Sequence, residues 1–232
     1  MAKLPSQRSS QTQVTKFLEQ ANKPSVQAKK VTGRLIFAID ATASRQPSWD
    51  RACHLQAQMF QAADAIGGLA VQLCYYRGYQ EFYHSPWCYD SHSLLSQMTQ
   101  VRCLGGYTQI GKVLAHAVTE AKQGRVNALI FIGDALEESI DELCQWAGKL
   151  GVLQCPVFAF QEGFDPGVAH AFRQIAYLSS GAYHAFDESS AKELSELLNA
   201  VAVFASGGEK ALSDFAQLSS ATAKVLLQQL KK

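Results

Sequence analysis

The side chains with the clearest chemistry are the oxygen donors of an Asp-x-Thr-x-Ser sequence formed by Asp40, Thr42 and Ser44. They follow the run from Leu35 to Ile39, which is unbroken, apolar and rich in β-forming residues. Such a run is typical of a strand buried on both faces of a parallel sheet. Ligands of open α/β sheets bind at the carboxyl ends of strands, and hard cations such as Mg²⁺ are bound by oxygen. The spacing therefore predicts a cluster of oxygen ligands in the loop after the first strand.

Two later stretches have matching chemistry. Gly105-Gly106-Tyr107-Thr108 is a glycine-rich loop that offers one hydroxyl just before a helical pattern, and Ala128–Gly133 is a second apolar run that ends in a carboxylate, Asp134. Mg²⁺ needs near-octahedral oxygen ligands and keeps several waters. Three hydroxyls and two carboxylates would hold such an ion and leave room for one outside ligand. The three stretches together indicate a divalent metal site.

The three stretches resemble the metal-ion-dependent adhesion site of von Willebrand factor A (vWA) domains. That family has Asp-x-Ser-x-Ser in a first loop, a Thr in a second and an Asp in a third. The pattern carries over onto Asp40, Thr42, Ser44, Thr108 and Asp134. Thr42 stands where the family usually has Ser. Threonine keeps the hydroxyl of serine and adds a methyl group. By the order of elements, the resemblance covers roughly residues 32–204.

The resemblance implies that the three hydroxyls contact Mg²⁺ or Mn²⁺ and that the two carboxylates act partly through water. It also implies a function in protein interaction, without enzymatic activity, in which a partner supplies an Asp or Glu carboxylate to the ion. Residues flanking the ion would form the inner rim of the binding surface. They include Arg45, Tyr107 and Leu136, with Tyr107 as the expected aromatic anchor.

The remaining pattern predicts the elements that would position this site. Strands and helices alternate from residue 31 to residue 204, which favours a doubly wound, mainly parallel α/β sheet of six strands with helices on both faces. Arg77-Gly78-Tyr79 predicts a hairpin, and therefore one antiparallel edge strand. We divide the chain into a polar N-terminal arm (1–30), a vWA domain (31–205) and a C-terminal helical extension (206–232), since Gly207-Gly208 interrupts the pattern.

Composition argues against further classes of function. The chain has 232 residues and a net charge of +1, which gives no electrostatic basis for binding nucleic acid or an anionic membrane. We find no apolar run of membrane-spanning length and no signal peptide. The six cysteines form no Cys-x-x-Cys pair and are interpreted as reduced thiols. These features, with the family resemblance, predict a cytoplasmic protein of bacterial type.

Other interpretations of the same residues remain open. The first is a Mg²⁺-dependent hydrolase of the haloacid dehalogenase kind, which has Asp-x-Asp-x-Thr after its first strand; here Thr42 stands where the second Asp, the general acid, is needed. The second is a scaffold whose metal site is vestigial. The spacing of His84, Cys88 and His92, with Cys103 further along the chain, is a further candidate, for zinc, but Pro86 interrupts the helix that this site would need.

Overall fold

The computed structural model describes residues 33–187, 190–218 and 221–230. The predicted N-terminal arm, 1–30, lies outside the described residues. Six strands form one sheet, and seven α-helices accompany it in the described ranges. The strands are β1 (Gly33–Asp40), β2 (Leu69–Arg77), β3 (Glu81–His84), β4 (Ala128–Gly133), β5 (Val157–Glu162) and β6 (Ala182–Phe186). The helices are α1 (Gln46–Asp64), α2 (Ser91–Met98), α3 (Ile110–Gln123), α4 (Ile140–Val152), α5 (Pro166–Leu178), α6 (Ala191–Leu218) and α7 (Ala221–Leu230).

The sheet has the predicted architecture. Its strand order is β3-β2-β1-β4-β5-β6. All neighbouring strands are parallel except β2 and β3, which form the antiparallel hairpin at the edge. The predicted six-stranded, mainly parallel α/β fold with one antiparallel edge strand is therefore confirmed. Parallel strands need helical crossovers, which accounts for the helices on both faces.

The alternation of side chains along β1 explains how both faces are filled. Leu35, Phe37 and Ile39 face one layer, which contains residues of α1, α2, α6 and α7. Ile36 and Ala38 face the other layer, which contains residues of α3, α4 and α5. All five side chains are at most 1% exposed. A strand covered on both faces needs apolar residues at every position, as this one has.

The register between β1 and β4 determines where the candidate site lies. Leu35 pairs with Ala128 and Ile39 with Ile132, so the two strands run side by side to their carboxyl ends. Asp40 is the last residue of β1, and Asp134 follows the last residue of β4. The fold thus brings the two predicted carboxylates to the same edge of the sheet.

The C-terminal region keeps the predicted interruption at Gly207-Gly208. The span α6 consists of two helices joined at a kink at Gly208, where φ is 69° and ψ is −165°, so the first helix ends a few residues beyond the predicted end near Phe204. Glycine is favoured at the kink because other residues are strained at positive φ. The predicted C-terminal helix corresponds to the part of α6 after Gly208, followed by α7. The division of the chain into three parts stays a prediction.

Candidate metal site

The loop after β1 presents the first three predicted ligands. Asp40 is completely buried, and its Oδ1 accepts a hydrogen bond from the backbone N–H of Thr42 at 2.7 Å. A short 3-10 turn, Ala43–Arg45, follows and leads into α1. Ser44 is exposed, and its hydroxyl donates to Asp134 Oδ2 at 3.3 Å. The first loop and the loop after β4 are therefore in direct contact through a predicted hydroxyl ligand and a predicted carboxylate.

Two carboxylate oxygens at this edge, Asp40 Oδ2 and Asp134 Oδ1, are buried and have no hydrogen-bond partner of normal geometry among the described residues. The buried hydroxyl of Tyr76, which interacts with Asp40, lacks such a partner as well. Burial raises the pKa of Asp40, and the nearby charge of Asp134 adds to this, whereas the hydrogen bonds from Thr42 and the charge of Arg45 act in the opposite direction. Buried carboxylates are normally paired or bind a cation, because an unpaired buried charge is costly. The two oxygens are chemically suited to a cation or to the waters of its coordination shell.

The second loop is held by backbone contacts against the first loop and against the β2–β3 hairpin. Leu104 donates its N–H to the carbonyl of Ala41 at 3.0 Å, and Tyr107 donates to the carbonyl of Gly78 at 3.2 Å. Gly106 lies so close to Gly78 that a Cβ atom built at Gly106 would be 1.8 Å from the Gly78 carbonyl oxygen. Glycine is therefore required at position 106 for the loop to dock as it does.

Thr108 is positioned by the loop that carries Asp134. The Thr108 N–H donates to the carboxylate of Glu137 at 2.6 Å, and the Thr108 hydroxyl accepts from the Glu137 N–H at 3.0 Å. The hydrogen bond from Glu137 uses one lone pair of the Thr108 hydroxyl oxygen and leaves the other available to a ligand. Thr108 is 5% exposed. The predicted hydroxyl ligand of the second loop is thus coupled directly to the third loop.

Glu138 caps the helix that begins after Thr108. Its two carboxylate oxygens accept the N–H groups of Ile110 and Gly111, the latter at 2.8 Å. Gln109, the residue at the N-cap of α3, makes no side-chain cap of its own. An acidic side chain is stabilising at a helix N-terminus, where N–H groups lack partners. Sequence analysis missed this role because Glu138 caps a helix 28 residues earlier in the chain.

We expect Glu138→Ala to lower the free energy of unfolding by about 1–2 kcal/mol, because it leaves two helix N–H groups without their acceptor. Glu138→Gln keeps one acceptor oxygen and should lose less. Glu142→Ala, an exposed position in the first turn of α4, is the matched control and should change stability by about 0.5 kcal/mol or less. Urea denaturation measures all three; equal losses for Glu138→Ala and Glu142→Ala would contradict this role of the cap.

The three predicted rim residues have different environments. Tyr107 is 59% exposed and makes an edge-to-face contact with Tyr79, which is 74% exposed, at 5.6 Å between ring centroids. Leu136 is partly buried against the α3–α5 layer. Arg45 departs from the expectation, because its side chain is 2% exposed and lies beneath the site, where a partner would not reach it. Of the three, Tyr107 is the largely exposed one, and it forms an exposed aromatic pair with Tyr79.

The buried position of Arg45 has a specific cause. Its guanidinium forms an ion pair with Glu162, the last residue of β5, and its Nη1 lies 3.7 Å from Asp134 Oδ2. Glu162 also accepts a hydrogen bond from the Ser48 hydroxyl and lies 3.6 Å from Arg51 Nη2. The sequence did not single out Glu162, although a carboxylate that ends a buried strand is the same signal as Asp40 and Asp134.

The zinc alternative finds no support in the arrangement. His84 stacks on His116 at 4.3 Å between ring centroids, Cys88 is buried in the α1–α2 layer, and His92 is exposed on α2. Within 33–187, 190–218 and 221–230, no three His, Cys, Asp or Glu side chains are grouped so as to hold a metal ion. The predicted vWA-type site is not a cluster of this kind, because three of its five ligands are hydroxyls and only two are carboxylates.

Comparison with known proteins agrees on the fold. No family model matches the chain, and no curated protein matches it in sequence. Among solved structures, the vWA domain of SpRpn10 is 15% identical with a TM-score of 0.55, over 72% of this chain and 94% of that one. Proximal thread matrix protein 1 from the mussel byssus is 19% identical with a TM-score of 0.56, over 76% of this chain and 48% of that one.

A third solved structure, the human COPII-coat protein Sec24c, is 12% identical with a TM-score of 0.52, over 73% of this chain and 32% of that one. The chain thus matches nearly the whole SpRpn10 domain but about half or less of the other two proteins. None of the described helices is long and apolar enough to cross a membrane. At these levels of identity the likeness concerns the fold, and it shows that the described chain has the fold of a vWA domain.

Proposed function

We propose that this protein is a metal-dependent protein-interaction module. In this proposal the hydroxyls of Thr42, Ser44 and Thr108 contact Mg²⁺ or Mn²⁺, and Asp40 and Asp134 act partly through water. When bound, the ion would supply a coordination position for an Asp or Glu carboxylate of a protein partner. The observation that carries the proposal is the pair of buried, unpartnered carboxylate oxygens at adjacent strand ends, Asp40 Oδ2 and Asp134 Oδ1.

The surrounding residues support this assignment in two ways. Each predicted ligand is on a segment tied to another segment of the site: Ser44 to Asp134, and Thr108 to Glu137. Such cross-connections fix ligand positions before binding, and pre-organisation reduces the cost of forming a site. The donor set is all oxygen, which suits Mg²⁺ and Mn²⁺ better than zinc.

The exposed pair Tyr79 and Tyr107 would provide the contact surface next to the ion. Aromatic side chains are common anchors of protein interfaces, because they bury a large area with little loss of conformational entropy. Tyr107 follows directly on Gly106, which is fixed against Gly78. The anchor would thus be rigidly placed relative to Thr108, its neighbour in the chain.

The test is an affinity pull-down from cells with Mg²⁺ and with excess chelator, followed by Tyr107→Ala. We expect chelator to release the partner. Tyr107→Ala should weaken partner binding by about 2 kcal/mol, as at a typical anchor residue, with nearly unchanged metal affinity. Tyr177→Ala is the matched control, since Tyr177 is 76% exposed on α5. A partner that stays bound equally well in excess chelator would contradict the proposed metal bridge.

The cytoplasmic setting, the bacterial type and the absence of enzymatic activity stay predictions. No observation in the described residues specifically favours the hydrolase alternative. The vestigial-site alternative differs from the proposal in one measurable respect, since it predicts no binding of Mg²⁺ or Mn²⁺ at Asp40 and Asp134.

A further inference from the structure

The buried cation next to the candidate site, Arg45, is not used by the proposed function. Its Nη1 lies 3.7 Å from Asp134 Oδ2, and its charge also acts on Asp40. A permanent positive charge beside two carboxylates that are assigned to a divalent cation needs an explanation. Arginine stays charged at any accessible pH, so the protein cannot remove this charge by deprotonation.

Glu162 compensates the charge of Arg45 only in part. Glu162 is shared between two arginines, since Arg51 Nη2 lies 3.6 Å from its Oε1. The Nε of Arg45 is buried without a hydrogen-bond partner among the described residues. Among these interacting groups, three carboxylates (Asp40, Asp134 and Glu162) face two guanidinium groups (Arg45 and Arg51), which leaves one net negative charge. The nearby carboxylates of Glu137 and Glu138 instead accept backbone N–H groups around Thr108 and at the start of α3.

This balance has opposite consequences for a cation and for an anion. A divalent cation would meet one net negative charge, which weakens its binding compared with two unopposed carboxylates. Once the ion was bound, the positive charge of Arg45 would remain beside it and would favour an incoming carboxylate. Such effects are strong at a buried position, because the screening by water is reduced there.

We propose that Arg45 is a specificity-determining residue of the candidate site that lowers its affinity for the metal ion and raises the affinity of the loaded site for a carboxylate. This inference rests on the proposed function. Glu162, which also accepts a hydrogen bond from the Ser48 hydroxyl, holds Arg45 in place from below, so that its guanidinium faces Asp134 without reaching the exposed rim. Metal and carboxylate would bind cooperatively because the ion itself attracts the carboxylate, and Arg45 would shift the two affinities in opposite directions without changing this coupling.

The experiment measures Mn²⁺ binding by electron paramagnetic resonance and then titrates acetate, as the carboxylate probe, onto the Mn²⁺-loaded protein. It compares the intact chain with Arg45→Met, Arg45→Lys and Arg51→Met. Arg51→Met is the matched control, because it removes the same charge from the same partner, Glu162, while Arg51 is itself 25% exposed and has no contact with Asp134 among the described ion pairs. Thermal melting shows whether each variant is folded.

We expect Arg45→Met to bind Mn²⁺ about fivefold more tightly and, once loaded with Mn²⁺, to bind acetate about fivefold more weakly. Arg45→Lys keeps the charge and should resemble the natural protein in both measurements, and Arg51→Met should change either one by less than about twofold. If Arg45→Met does not fold, Arg45→Gln replaces it with the same expectation, because its amide can still donate to Glu162.

The outcomes separate the inference from the proposed function. If the natural protein binds Mn²⁺ and Arg45→Met binds it more weakly or equally well, Arg45 has only a structural role and the inference is overturned. The same holds if Arg51→Met reproduces the effects of Arg45→Met. If neither the natural protein nor any variant binds Mn²⁺, the proposed function itself is wrong.

Discussion

Asp40→Asn is expected to weaken Mg²⁺ and Mn²⁺ binding at least about 10- to 100-fold while the protein stays folded. Asparagine keeps the shape of the side chain and an oxygen that can accept from the Thr42 N–H, but it removes the negative charge. Burial already raises the pKa of Asp40, which means that the metal-free fold disfavours its charged form. Neutralising this residue should therefore cost the metal-free protein little stability.

The effect is measured by calorimetric titration with Mg²⁺ and Mn²⁺ and by thermal melting without metal. Asp50→Asn is the matched control, because Asp50 is exposed on α1 and its carboxylate accepts a hydrogen bond from the Gln46 side chain, away from the predicted ligands. We expect the control to bind metal as the natural protein does. Equal dissociation constants for Asp40→Asn and the natural protein would exclude Asp40 from the metal site.

Gly106→Ala is expected to have the largest effect on the second loop. The added methyl group would lie 1.8 Å from the Gly78 carbonyl oxygen, far inside van der Waals contact. Either the second loop or the β2–β3 hairpin must therefore move. Overpacking of this kind typically costs about 1–3 kcal/mol. Because Tyr107 and Thr108 follow directly, we expect metal binding and partner binding to fall as well.

Gly105→Ala provides the matched control for this substitution. A Cβ atom at position 105 has no other atom within 4 Å, and neither glycine has a positive φ. Both substitutions also change the entropy of the unfolded chain in the same way, so their difference isolates the contact with Gly78. Urea denaturation of both variants checks the prediction, and equal stabilities would show that the loop does not dock as described.

The fold was predictable because its main signals are local. Apolar runs such as Leu35 to Ile39 predict buried strands, and the hairpin signal at Arg77-Gly78 predicts the antiparallel edge strand. The proximity of Asp40 and Asp134 also followed from the sequence. Both residues end buried parallel strands, and β1 and β4 are neighbours with their carboxyl ends at the same edge.

The contacts that connect the loops were not predictable in the same way, because they join residues far apart in sequence. Glu137 and Glu138 are consistent with the solvated start of a helix, yet their carboxylates accept backbone N–H groups around Thr108. Arg45 resembles an exposed loop residue, but its partner Glu162 is 117 residues later in the chain. Contacts between residues so far apart in sequence cannot be predicted from local patterns, and they become apparent only when the strand order is known.

The most direct test of the central claim is to crystallise the protein with Mn²⁺ and to locate the ion by its anomalous scattering. We predict one peak at the carboxyl ends of β1 and β4, within coordination distance of the hydroxyl oxygens of Thr42, Ser44 and Thr108, that disappears in Asp40→Asn. A fully occupied Mn²⁺ elsewhere on the protein, or none at saturating Mn²⁺, would contradict the assignment.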